Sequence, residues 1–155
     1  MALEDLYRDV ILDHYRNPRH RHPLEQPDAT AEGVNPLCGD EVKVELTFDG
    51  DRVSDVAVTG QGCSISQSSA SMMSAAIVGK TRTEITELAE RFHLMMTSED
   101  ETAAGLDPER PGAALGDLEA LQGVRKYPVR IKCASLPWTT LEQALEAGAT
   151  PGASA

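Results

Sequence analysis

Residues 42–59 read Val42-Lys43-Val44-Glu45-Leu46-Thr47-Phe48-Asp49-Gly50-Asp51-Arg52-Val53-Ser54-Asp55-Val56-Ala57-Val58-Thr59. Val42, Val44, Leu46 and Phe48 alternate with Lys43, Glu45 and Thr47, the period of a strand with one buried face. Asp49-Gly50 supplies a turn and the return run carries Val56 and Val58 in alternation, so the stretch predicts an antiparallel hairpin. A hairpin brings its two ends together. Cys38 and Asp40 precede the first strand and Cys63 follows the second, so Cys38 and Cys63 are expected to be neighbours.

Working outward, Leu6, Tyr7, Val10 and Ile11 recur at helical spacing until Pro18 stops the pattern, which predicts an amphipathic first helix. Arg16 to Pro27 then holds Arg16, Arg19, His20, Arg21 and His22 among prolines and reads as an extended basic connector suited to docking an acidic partner. A metal clip built from His20 and His22 is the alternative use. A strand near Ala31 to Asn35 would bring the sheet to about three strands.

Beyond the hairpin, Ser64 and Gln67 have the spacing of a capping box, and a helix is expected to run to Val78 with Gly79 as its stop. Cys63 then sits at a helix N-terminus, where the dipole and free amides favour a thiolate. A second box, Thr81 to Glu84, opens a helix with the stripe Ile85, Leu88, Ala89, Phe92 and Met96. Met72, Met73, Met95 and Met96 read as core rather than soft-metal ligands. His14 and His93 lie on helices, where packing outweighs ligation.

Ser98 to Asp117 is acidic, rich in Gly, Pro and Ala, and without period, so it reads as a long loop or insertion. Val124 to Cys133 leads into a final helix capped by Ser135, with Trp138, Leu141 and Leu145 on one side and Gly148 at its end. That reading puts Cys133 just before a helix and Arg130 and Lys132 at alternate positions of a strand. Ala149 to Ala155 has nothing to bury and should fray. The expected fold is α+β: a small antiparallel sheet of about three strands packed against several helices.

The chain has 155 residues, 41% of them hydrophobic, enough for one core, so a single domain over residues 1–148 with an insertion around 98–117 is expected. A formal net charge of −11 removes the electrostatic basis of nucleic-acid binding. No stretch approaches the roughly 20 apolar residues that span a bilayer. A soluble, cytoplasmic protein is expected, and in that setting the 3 cysteines stay reduced rather than form a disulfide scaffold.

Cys38 lies in the turn Pro36-Leu37-Cys38-Gly39-Asp40, where Gly39 allows a sharp bend and Asp40 can point back. Three thiolates and one carboxylate satisfy the four-ligand preference of Zn²⁺, and thiolates equally suit iron in a cluster. Around a divalent metal, three thiolates and Asp40 leave an excess of about two negative charges. Arg130 and Lys132 are the candidates to offset it. The turn is easier to swing out than a helix start, which makes Cys38 the most releasable thiolate.

The motifs Leu37-Cys38-Gly39-Asp40, Gly60-Gln61-Gly62-Cys63-Ser64-Ile65-Ser66, Asp13-His14-Tyr15-Arg16-Asn17-Pro18 and Arg130-Ile131-Lys132-Cys133-Ala134 together resemble the U-type iron–sulfur assembly proteins, from about Leu3 to Gly148. Within that family the chain is most similar to the SufU branch. A histidine precedes the third cysteine in classical IscU scaffolds, whereas Lys132 stands here, and the insertion is a SufU trait. The resemblance implies zinc held by Cys38, Asp40, Cys63 and Cys133. It also implies a partner cysteine desulfurase whose histidine displaces Cys38 from zinc, and a freed Cys38 that accepts persulfide sulfur for the downstream iron–sulfur assembly machinery.

Three functions follow as expectations: a zinc-dependent sulfurtransferase with Cys38 as acceptor, a scaffold on which a 2Fe–2S cluster is built, or a noncatalytic zinc-stabilised interaction module. Lys132 and the insertion favour the first over the second. Asp40 argues against the third, because structural zinc sites usually lack a displaceable carboxylate.

Overall fold

A computed structural model describes residues 3–36, 39–97 and 115–149. The elements are α1 (Leu3–Arg16), β1 (Ala29–Asn35), β2 (Asp40–Asp49), β3 (Arg52–Gln61), α2 (Ser64–Ile77), α3 (Arg82–Thr97), a 3-10 helix (Gly116–Lys126) and α4 (Pro128–Ala149). The strands form one antiparallel sheet in the order β1-β2-β3. Glu41 pairs with Gln61 and Asp49 with Arg52, with an irregularity between Thr47 and Phe48. Asn35 pairs with Asp40, so the β1–β2 connection is residues 36–39 and both ends of the β2–β3 hairpin lie where expected.

One sheet face is covered by α4, which packs on β1 and β2, while α2 packs on α1, α4 and β3. Val44, Leu46 and Val53 are fully buried in the resulting core, together with Met73, Ile77, Ile85 and Phe92. Met72, Met95 and Met96 are buried there too, which makes all four methionines of the two pairs core residues. Trp138 of α4 stacks on Phe92 of α3 with centroids 4.7 Å apart and an interplanar angle of 16°. The stack joins α4 to α3.

The middle of the connector after α1 is tied down. Arg19 N–H donates to Ser71 Oγ at 2.9 Å, Ser74 Oγ donates to the Arg19 carbonyl at 3.2 Å, and Val58 N–H donates to the His20 carbonyl at 2.9 Å. The last bond covers the free edge of β3, an edge strand that would otherwise present unpaired amides. Arg19 also bonds Asp13 at 2.7 Å and thereby holds the Asp13 carboxyl below its ordinary range.

Three expectations need correction. Ser64 and Gln67 form no capping box: the N-cap of α2 is Cys63, whose own side chain makes no capping bond. Gln67 N–H bonds the Cys63 carbonyl at 3.1 Å and its side chain is engaged elsewhere. The final helix starts at Pro128 rather than after Ser135, because Pro128 fits the first helical position where its missing N–H costs nothing. The helix continues through Pro137, which removes the amide that the Cys133 carbonyl would have accepted; one residue on, Ser69 Oγ donates to the Ala134 carbonyl at 2.6 Å. Cys133 therefore lies inside α4, beyond its first turn, and Arg130 and Lys132 are helical residues.

The expected loop over Ser98–Asp117 ends earlier than read, since the 3-10 helix begins at Gly116; residues 98–114 lie outside the described residues. So do residues 150–155, where fraying was expected. The Thr81–Glu84 box forms as read: Glu84 N–H donates to Thr81 Oγ1 at 3.2 Å and Thr81 N–H donates to Glu84 Oε1 at 3.0 Å.

Candidate metal centre

Where the end of β3, the start of β2 and the N-terminus of α2 meet, Asp40 is 1% exposed although it carries a carboxyl group. Its Oδ1 accepts the backbone N–H of Cys63 at 2.8 Å. That bond supplies the free helix-start amide with an acceptor that the Cys63 side chain does not provide. Its Oδ2 is buried and has no hydrogen-bond partner among the described residues. An unpaired carboxylate oxygen costs too much to bury without a compensating ligand.

Cys63 and Cys133 provide the neighbours that explain it. One carboxylate oxygen of Asp40 and the Sγ atoms of Cys63 and Cys133 all lie within 4.8 Å of one another. Cys133 is fully buried, and the Asn35 amide donates to its Sγ at 3.8 Å. Cys63 is half-buried. A borderline-soft divalent cation suits two sulfurs and an oxygen, and a fourth donor would close a tetrahedron. A buried carboxylate with one unpartnered oxygen, set beside two thiols, therefore fits a metal.

Gly62 makes the close approach possible. A Cβ on it would run into Asp40 Oδ1 and would lie 2.6 Å from Ser66 Oγ, so no side chain fits between the carboxylate and the helix start. Cys38 lies outside the described residues; Gly39 beside it has φ 69°, the left-handed bend anticipated for that turn.

Of the other predicted residues, the histidines lie outside this group among the described residues. Arg130 and Lys132 are exposed on α4, and Arg130 lines a groove of about 680 Å³ with Tyr7, Ile11, Ile65, Val124 and Tyr127. His14 is 2% exposed and bridges Ser71 and Asp117, each at 2.8 Å, which makes it a packing residue between α1, α2 and the 3-10 helix. His93 bonds Glu142 at 3.1 Å. His20 and His22 belong to no group of metal-ligating side chains among the described residues. Sequence reasoning missed Arg21, whose guanidinium donates to the Gly60 carbonyl and to Gln67 Oε1 on either side of Cys63. It missed Asn35 as well. Neither has a local signal, because the contacts span 39 and 98 residues of sequence.

The fold and site define a class: a three-stranded sheet covered by helices, with two thiols and a buried carboxylate converging at one end of the sheet. The chain belongs to the NifU-like N-terminal domain family, whose model matches residues 6–134, and it is an iron–sulfur cluster assembly protein. It is 45% identical to the zinc-dependent sulfurtransferase SufU of Bacillus subtilis over 91% of this chain and 90% of the relative. It is 37% identical to the iron–sulfur cluster assembly scaffold protein IscU of Streptococcus pyogenes, covering 95% and 87%. A crystal structure described as a SUF-system scaffold protein from Fervidobacterium islandicum superposes with a TM-score of 0.79 at 35% identity, over 93% of this chain and 99% of that one. Among the described residues no helix is long and apolar enough to cross a membrane.

Proposed function

We propose that the protein is a zinc-dependent sulfur acceptor that takes persulfide sulfur from a cysteine desulfurase and passes it to the downstream iron–sulfur assembly machinery. The observation that carries the reading is the buried Asp40 carboxylate, one oxygen of which lies within 4.8 Å of two cysteine sulfurs, with its Oδ2 unpartnered among the described residues. The 45% identity to a relative named for zinc-dependent sulfur transfer supports the choice of metal. Zn²⁺ would be held by Cys38, Asp40, Cys63 and Cys133; when bound it keeps thiols deprotonated at neutral pH while restraining their reactivity. Residues 1–148 act as one unit, in the cytoplasm, where thiols stay reduced.

Chain connectivity keeps the Cα of Cys38 within about 7 Å of that of Asp40, which puts the third thiol in reach of the same centre. Cys133 is enclosed in α4 and Cys63 is fixed by the Asp40 bond to its own amide. Cys38 sits in the four-residue connection between paired residues Asn35 and Asp40, so its departure disturbs the least structure. Its thiolate attacks the outer sulfur of the partner's persulfide. A new sulfur–sulfur bond forms at Cys38, the bond to the partner's cysteine breaks, and that cysteine leaves as a thiolate. Arg130 and Lys132, exposed on the helix that carries Cys133, contribute positive charge on its outer side.

Metal analysis of the purified protein, followed by addition to a desulfurase, tests the reading. Bound zinc with stimulated cysteine turnover is expected. Iron with sulfide and visible absorption would assign a cluster scaffold, and zinc without stimulation an interaction module.

A further inference from the structure

We infer that Arg21 is a positioning residue for the metal centre: its two-pronged guanidinium clamps the β3–α2 corner so that Cys63 stays fixed and displacement falls on Cys38. The inference rests on the proposed sulfur-acceptor function for its second half only. Its geometric half stands on three consecutive residues of the connector. Arg19 is stitched to α2 through Ser71 and Ser74, and the His20 carbonyl accepts the amide of Val58 on β3. His20 itself adopts φ 51°, the left-handed region that a residue with a Cβ avoids unless its surroundings hold it there. Held so, the chain delivers the half-buried Arg21 side chain to the corner.

There one nitrogen donates to the Gly60 carbonyl at 2.5 Å and the other to Gln67 Oε1. Gly60 is three residues before Cys63 and Gln67 four after it, so one planar cation spans the segment that presents the thiol. The Asp40 carboxylate holds the same segment from the other side through the Cys63 amide. A guanidinium fork suits the task because its donors are rigidly spaced and its charge is permanent; the ammonium of lysine reaches one acceptor well and not both. Groups that orient ligands from outside the coordination sphere typically contribute 10–100-fold to metal affinity.

The test compares Arg21→Ala and Arg21→Lys with the unmodified full chain, each loaded with Zn²⁺ and separately with Co²⁺. Zinc affinity is expected to fall about 10–100-fold in Arg21→Ala and by less in Arg21→Lys. The sulfur-to-cobalt charge-transfer and d–d bands should shift in both, which a change in overall stability alone would not produce. After desulfurase treatment, persulfide is expected on Cys63 as well as Cys38 in Arg21→Ala. Unchanged cobalt spectra and zinc affinity in Arg21→Ala overturn the inference; if that variant does not fold, an unshifted cobalt spectrum in Arg21→Lys does so. Failure of the sulfur-acceptor reading looks different: no cysteine of the unmodified protein gains sulfur, while the cobalt spectra still decide the role of Arg21.

Discussion

Asp40 touches Cys63 with one carboxylate oxygen, at 2.8 Å to its amide, leaves the other buried and unpartnered among the described residues, and brings its carboxylate within 4.8 Å of two cysteine sulfurs. The same side chain thus shapes the helix start and offers a ligand. Asp40→Asn retains an acceptor for the amide but loses the anionic donor. Its zinc affinity should fall by about tenfold or more, read by competition with a chromophoric chelator, because a neutral amide is a far poorer zinc ligand than a carboxylate. Unchanged affinity would mean that Asp40 does not ligate.

Gly62→Ala tests the closeness of that approach. The added methyl meets Asp40 Oδ1 and Ser66 Oγ, so the carboxylate or the helix start has to move. Overpacking of this kind costs about 1–3 kcal/mol. The variant should show that loss in urea unfolding together with weakened zinc binding.

Phe92→Ala removes the partner of the single tryptophan. Truncating a fully buried aromatic costs about 3–5 kcal/mol. The loss is measurable as a lower urea midpoint by far-UV circular dichroism, with altered Trp138 emission in the native state reporting the vacated stack.

Thr81→Ala should cost about 1 kcal/mol, the usual contribution of an N-cap hydroxyl. Its partner gives a pH dependence. The backbone N–H of Thr81 and then its side chain hold the Glu84 carboxyl below its ordinary 4.5. A carboxyl lowered in the folded state stabilises above its unfolded pKa and loses that contribution as pH falls through the lowered value. The stability difference between the natural protein and Glu84→Gln is therefore expected to be constant from neutral pH down to about 4.5 and to shrink below it. A difference that grows with acid contradicts the assignment.

Much of this was legible in the chain, and the exceptions have physical causes. The alternation of Val42 to Phe48 and the Asp49-Gly50 turn specify the hairpin locally, and its register alone brings Asp40 to Cys63. The Thr81–Glu84 box was readable because all its bonds lie within one turn. The start of α4 was not. Val129, Ile131 and Cys133 alternate with Arg130 and Lys132 as a strand would, yet Pro128 at the first helical position and the packing of Trp138 and Leu141 carry the helix through this stretch. The basic connector hid its packing in a different way. Its arginines look like a solvated docking patch, and only the tertiary approach of α2 and β3 ties down the Arg19 backbone and turns the Arg21 guanidinium inward.

The central claim is that Cys38 accepts sulfur while Asp40, Cys63 and Cys133 retain the metal. Mass spectrometry of the zinc-loaded protein after incubation with a cysteine desulfurase and cysteine tests it most directly, with Cys38→Ala run in parallel. The predicted result is one added sulfur on the peptide that contains Cys38, none on the peptides of Cys63 and Cys133, and no transfer to Cys38→Ala. Full sulfur loading of Cys38→Ala would contradict the account.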